Sequence, residues 1–181
     1  PNLDPEYSNS YEIGHLHHTE KGSISSSVYF RQSTGVIEWV ERAEGEIIAA
    51  RPYNIGDRDS YGFEFQVMRQ LTNWLNMQGS VNVYNAQSSG EFEGIAFDRD
   101  YLGWISRIST RISLTKSSQI QLRSLYFGPR ETIQGTREGM FAIDMGVSQS
   151  LWDNNVTISF NARDLLDTRK RQMETTTDTF Y

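Results

Sequence analysis

The side chains able to do chemistry fall into a few small groups. His15 and His17 share a strand face at i and i+2 spacing, with His18 beside them. A metal site needs three or four convergent ligands with outer support, and no carboxylate or cysteine stands at a compatible spacing. The histidines therefore read as interfacial residues, and no metal or cofactor is expected. Two triplets repeat, Asp57-Arg58-Asp59 and Asp98-Arg99-Asp100. Their carboxylates suit calcium or sugar hydroxyls, although charged segment ends are ordinarily just solvated, which is the expectation here. Trp39, Tyr53, Phe92 and Phe97 are aromatics that can stack on a ligand, and Arg58, Arg99 and Arg130 can make charge-assisted hydrogen bonds. These seven are the candidate ligand-binding residues.

Catalysis finds no support in motifs. There is no serine nucleophile elbow, no H-E-x-x-H, no glycine-rich phosphate loop and no cysteine. Glu91 and Glu93 stand two apart, outside any defined cleft, which says nothing of acid-base work. No enzyme is expected. Net charge is −6, so no basic stripe exists to neutralise phosphates and nucleic acid is excluded as a partner. With 37% hydrophobic residues and no apolar run of about 18, no membrane-spanning helix is available.

The elements that would carry these groups are strands. Eight segments alternate apolar and polar residues at period two, with no acidic or basic residue on the apolar side. In the clearest, Trp104, Ile108, Ile112 and Leu114 oppose Arg107, Ser109, Arg111 and Ser113. Successive side chains of a strand point to opposite faces, so one face is greasy and the other charged. The same split puts Val28, Phe65, Val81, Leu122, Ile143 and Ile158 on apolar faces. It puts Glu12, Glu64, Arg107, Arg111, Arg123, Asp144 and Arg163 on polar faces, where a wide barrel holds water or a plug. Charge pairs across strands are expected among these seven. The first segment, Tyr11 to His17, has the weakest pattern.

Connection lengths alternate. Thr19 to Gly22, Arg69 to Trp74, Lys116 to Ser118 and Asp153 to Asn155 are tight and rich in turn formers. Between them lie long stretches, 32–60, 85–100 and 127–139, and a last one from Leu165 onward, all read as loops. Short turns on one side and long loops on the other describe an antiparallel up-and-down transmembrane β-barrel. Consecutive strands should then pair in chain order, with turns at Glu20-Lys21, Thr72-Asn73, Ser117-Ser118 and Asp153-Asn154. Trp104 and Tyr126 suit an outer aromatic girdle, and Trp74 and Trp152 an inner one. Two alternatives stay open: a soluble all-β sandwich such as a carbohydrate-binding module, burying the same apolar faces in its core, and a small complete eight-stranded barrel with a structural or adhesive role.

Motifs in order along the chain carry a resemblance. Pro1-Asn2-Leu3-Asp4-Pro5-Glu6-Tyr7-Ser8 leads into Tyr11-Glu12-Ile13-Gly14. Lys21-Gly22-Ser23-Ile24, Asn54-Ile55-Gly56, Tyr61-Gly62-Phe63-Glu64 and Tyr126-Phe127-Gly128-Pro129-Arg130 with Gln134-Gly135 follow. Asn161-Ala162-Arg163-Asp164-Leu165-Leu166-Asp167-Thr168-Arg169 closes the series. Together these resemble TonB-dependent outer-membrane receptors, and most closely the outer-membrane β-barrel family of TonB-dependent-receptor-like proteins. The resemblance implies a place in the outer membrane of a gram-negative bacterium and active uptake of a scarce nutrient, such as a metal chelate, glycan or peptide. It implies outer-membrane lipid, a plug domain of the same parent chain and, through that plug, the energy-coupling TonB complex as partners, with a surface lipoprotein as a further one. It also implies that residues 1–181 are one partial barrel domain of about eight strands from a barrel of about twenty-two, with plug and remaining strands outside it and Tyr181 a break in a loop.

Overall fold

The computed structural model describes residues 3–44, 47–170 and 172–175. Pro1, Asn2 and Tyr181 lie outside them. Eight long strands form one antiparallel sheet, in the order β1-β2-β3-β4-β5-β6-β9-β10. They are β1 Tyr7–Thr19, β2 Gly22–Glu44, β3 Ile47–Gln70, β4 Leu75–Phe92, β5 Ile95–Ser113, β6 Ser118–Phe127, β9 Met140–Leu151 and β10 Val156–Ala162. Between β6 and β9 a small hairpin, β7 Arg130–Thr132 and β8 Gly135–Arg137, pairs with β11 Met173–Thr175 in a second, three-stranded sheet. The up-and-down order is the one expected; three of the four tight turns fall where expected, and the fourth spans 114–117, about two residues ahead of Ser117-Ser118, with Ser118 already in β6.

Register explains why the alternation was readable. Ile13 stands opposite Val28, Val28 opposite Phe63, Phe63 opposite Val83 and Val83 opposite Trp104. Further along, Ile112 meets Ile120, Ile120 meets Val147 and Val147 meets Phe160. A slip by one residue at any pair would have moved a whole strand to the other face. Among the described residues nothing packs as a second layer on the apolar face: Ile13 is 79% exposed, Ile158 59% and Phe160 66%. A sandwich would bury these residues against a second sheet, so the soluble-module alternative is overturned by the single layer. Trp104 and Tyr126 sit on this face with ring centroids 4.2 Å apart. Above Tyr61 the face turns polar in one row, Gln32, Asp59, Gln87 and Asp100, which ends the apolar band.

The opposite face carries Glu12, Glu64, Arg107, Arg111, Arg123 and Asp144, with Arg163 just past β10. One of its rows alternates large with small. Tyr29 lies against Gly62 and Tyr84 against Gly103, where an added Cβ would come within 2.6 Å and 2.5 Å of the rings. Such alternation lets a curved wall fill its inner side.

The long stretches 32–60 and 85–100 are not loops. β2 and β3 contain 23 and 24 residues, and β4 and β5 contain 18 and 19, while a barrel strand needs about 9–11 to cross a bilayer. The ladders continue into the solvent as two β-ribbons. Asp57-Arg58-Asp59 and Asp98-Arg99-Asp100 are mid-strand residues, not loop ends. Beyond the membrane neither face has to be greasy, so the period-two signal fades although the pairing persists. Stretch 127–139 is likewise partly a hairpin.

A bend separates the β2–β3 ribbon from the wall. The ladder slips between Ser33 and Ile37, and Gly35 there has φ 66°, a left-handed conformation glycine adopts without steric cost. Gly56 (φ 144°) abuts β4 so closely that a Cβ would stand 2.3 Å from the Ser89 carbonyl oxygen. The small core lies next to this bend, with Val36, Val40, Ile55 and Ala86 all buried.

Candidate functional site

Strand pairing assembles the repeated triplets into one belt. Arg58 stands opposite Ser88, and Ser88 opposite Arg99; the flanking aspartates face Gln87 and Ser89 of the same central strand. The carboxylates serve this belt: Asp100 accepts from the Asn85 and Gln87 side-chain amides at 2.5 Å and 3.4 Å, and Asp57 accepts from the Gly35 N–H at 3.3 Å. Among the described residues no three histidines or acids gather as a metal cluster. His15 and His17 simply stack, 6.4 Å apart, on exposed β1.

Three of the seven candidate ligand residues converge. Trp39, Arg58 and Arg130 line one cavity of about 290 Å³ at the outer end of the polar face, with Glu38, Tyr101 and Gln134. The β7–β8 hairpin springs from between β6 and β9, several strands from β2 in the sheet order, so their contact requires the sheet to curl toward its polar face and the ribbon to lean across it. The sequence holds no long-range signal for this, and Gln134 and Tyr101 were missed. Gln134 accepts from the Glu41 N–H at 2.9 Å and donates to the Glu41 carbonyl at 2.8 Å. Arg58 pairs with Glu38 and donates through Nε to Ser88 Oγ at 2.9 Å. Trp39 is 69% exposed, its indole open to solvent.

The other four candidates lie apart from this cavity. Tyr53 and Phe92 meet edge to face at 5.3 Å, and the Arg42 guanidinium covers both rings at 5.3 Å and 5.4 Å while pairing with Glu93. That cluster pins the two ribbons together. Phe97 is half-buried opposite Gly90, and Arg99 is exposed.

Among the described residues, the seven wall charges make no ion pairs with one another. Glu64 takes Gln66 at 2.7 Å, Arg123 donates to Gln121 at 3.4 Å, and Arg107 lies over the Phe127 ring at 5.9 Å. Arg123 stands opposite Asp144 in register, yet both Asp144 carboxylate oxygens instead accept from one Arg169 nitrogen, Nη2, at 2.7 Å and 2.9 Å. The turn after β10 delivers Arg169: Asp164 caps the Thr168 and Arg169 N–H groups at 3.0 Å and 3.2 Å, and its own N–H donates to Asp144 at 2.9 Å. Arg169 closed the last recognisable motif but carried no alternation to mark its role.

Compared with known proteins, residues 1–181 match the model of a family described as outer membrane protein beta-barrel family. The chain belongs to that family. Its members' place is the outer membrane of a gram-negative bacterium, and the greasy single-layer sheet is the lipid-facing wall of such a barrel. No curated protein and no solved structure matches the chain.

Proposed function

We propose that this chain is part of the barrel of an outer-membrane transporter resembling the TonB-dependent receptors. It takes up a scarce nutrient, a metal chelate, glycan or peptide, that first binds in the mouth cavity. The observation carrying this reading is the convergence of Trp39 and Arg58 of the β2–β3 ribbon with Arg130 of the β7–β8 hairpin on one cavity at the outer end of a water-accessible polar face. A wall that served only as an anchor has no use for a ribbon and a hairpin meeting over its mouth. Exposed charges such as Arg107, Arg111 and Arg123 on that face suit a wide lumen holding water and a plug. Lipid, a plug of the parent chain, the TonB complex and a surface lipoprotein are the partners this reading implies.

Uptake by cells tests it. Trp39→Ala with Arg130→Ala in the full-length protein should lower nutrient-dependent growth at least tenfold in effective nutrient concentration, with normal barrel assembly. Unchanged uptake, with loss only on substitution of Arg107, Arg111 or Arg123, would place selection in the lumen and reject the mouth cavity.

A further inference from the structure

Among the described residues, no strand pairs with the edge of β2 that lines the cavity. β1 begins at Tyr7, opposite Thr34, so β2 beyond Thr34 is laddered to β3 on one side only. Hydrogen bonds show which residues address the free edge. Ile37 N–H donates there to Glu6 Oε2 at 3.0 Å, and Glu41 uses both its N–H and its carbonyl on Gln134. Successive residues turn these groups to opposite sides, and alternate residues turn them to the same side. Trp39, midway, therefore presents its N–H and carbonyl to the same edge. Pro52 agrees independently: it stands opposite Trp39 and has no N–H to give, which suits only a non-bonded pair.

We infer that this edge binds an extended peptide as an added strand, so that the cavity's substrate class is peptide; the inference rests on reading the cavity as a ligand site. Gln134 already shows the chemistry, since its side-chain amide engages Glu41 as one residue of a paired strand would. An alternating donor and acceptor at strand spacing matches a peptide main chain, whereas sugar hydroxyls have no such repeat. The cavity, about 290 Å³, is at the lower end for small-ligand sites and suits a short segment. Arg130 and Glu131 line it as well, and neither side chain makes a hydrogen bond or ion pair among the described residues. They supply one cation and one carboxylate for charged groups on the peptide.

The test is equilibrium binding to the full-length protein in lipid nanodiscs. The probes are acetyl-tetraalanine amide with ¹³C-labelled carbonyls and its analogue N-methylated at alternate amides. Calorimetry should show at least tenfold weaker binding of the methylated peptide, and the labelled amide I band should move to the β-sheet position on binding. Trp39→Pro, which removes the edge N–H without touching the ladder to β3, should weaken the unmethylated peptide at least tenfold and by more than Trp39→Ala. Should Trp39→Pro fail to assemble, the methylated peptide decides alone. Equal affinity for both peptides, no shift of the labelled band, or no binding at millimolar peptide overturns the inference. Binding without uptake would reject only the transport reading, and uptake with indifference to N-methylation would reject only this one.

Discussion

Single residues hold the outer half of this sheet to the wall. Arg169 and Asp144 form an ion pair through one guanidinium nitrogen, with both side chains partly exposed, so screening keeps the contribution near that of a surface pair, about 1 kcal/mol. Arg169→Ala should therefore lower stability in urea by about that amount. In a double-mutant cycle with Asp144→Asn the two losses should fall short of additive, because both delete one contact; full additivity would mean that the pair does not form in the membrane. Gly56 answers to geometry, not charge. With φ at 144° and a backbone oxygen 2.3 Å from any added Cβ, Gly56→Ala should force the β3–β4 ladder apart at the bend and cost about 1–3 kcal/mol. A stability equal to that of the unaltered protein would show the bend to be loose.

Strands were legible where the bilayer writes on them. Ile24, Val67 and Ile108 could be assigned a face because lipid demands an apolar residue at every second position, and register then carries the pattern from strand to strand. The same test is blind outside the bilayer. Asp57-Arg58-Asp59 looks like a loop end, yet it lies within an unbroken ladder. Contacts between Glu41 and Gln134, 93 residues apart, depend on how far the sheet curls, which no local pattern encodes. The lipid reading of the apolar face makes a graded prediction. Arginine at Val81 or Ile108, in the middle of the band, should cost roughly 2–4 kcal/mol, falling to about 0–1 at Leu102 near its outer rim. Unfolding from lipid vesicles measures this, and a profile flat with depth would contradict a membrane wall.

For the whole molecule, the decisive feature is that β1 and β10 are both sheet edges and do not pair with each other among the described residues. Hydrocarbon cannot satisfy an open row of N–H and carbonyl groups, so a spanning sheet must close. Closing these eight strands on themselves would give an interior just wide enough for side chains to fill. Arg107, Arg111 and Arg123 are long, exposed and unpaired with one another, and the mouth already accommodates a hairpin and a leaning ribbon. Under the transporter reading proposed above, a wider barrel is expected, with further strands between β10 and β1. No cysteine lies within residues 1–181, so engineered pairs placed there are readily followed. Cysteine pairs joining Ile13 or His15 to Ile158 or Phe160, in the full-length protein assembled in outer membranes, should give no disulfide under mild oxidation. A control pair across β9 and β10, such as Val147 with Phe160, should form one readily. Efficient bonding between β1 and β10 would mean that the barrel closes at eight strands, and the wide-lumen transporter would have to be abandoned with it.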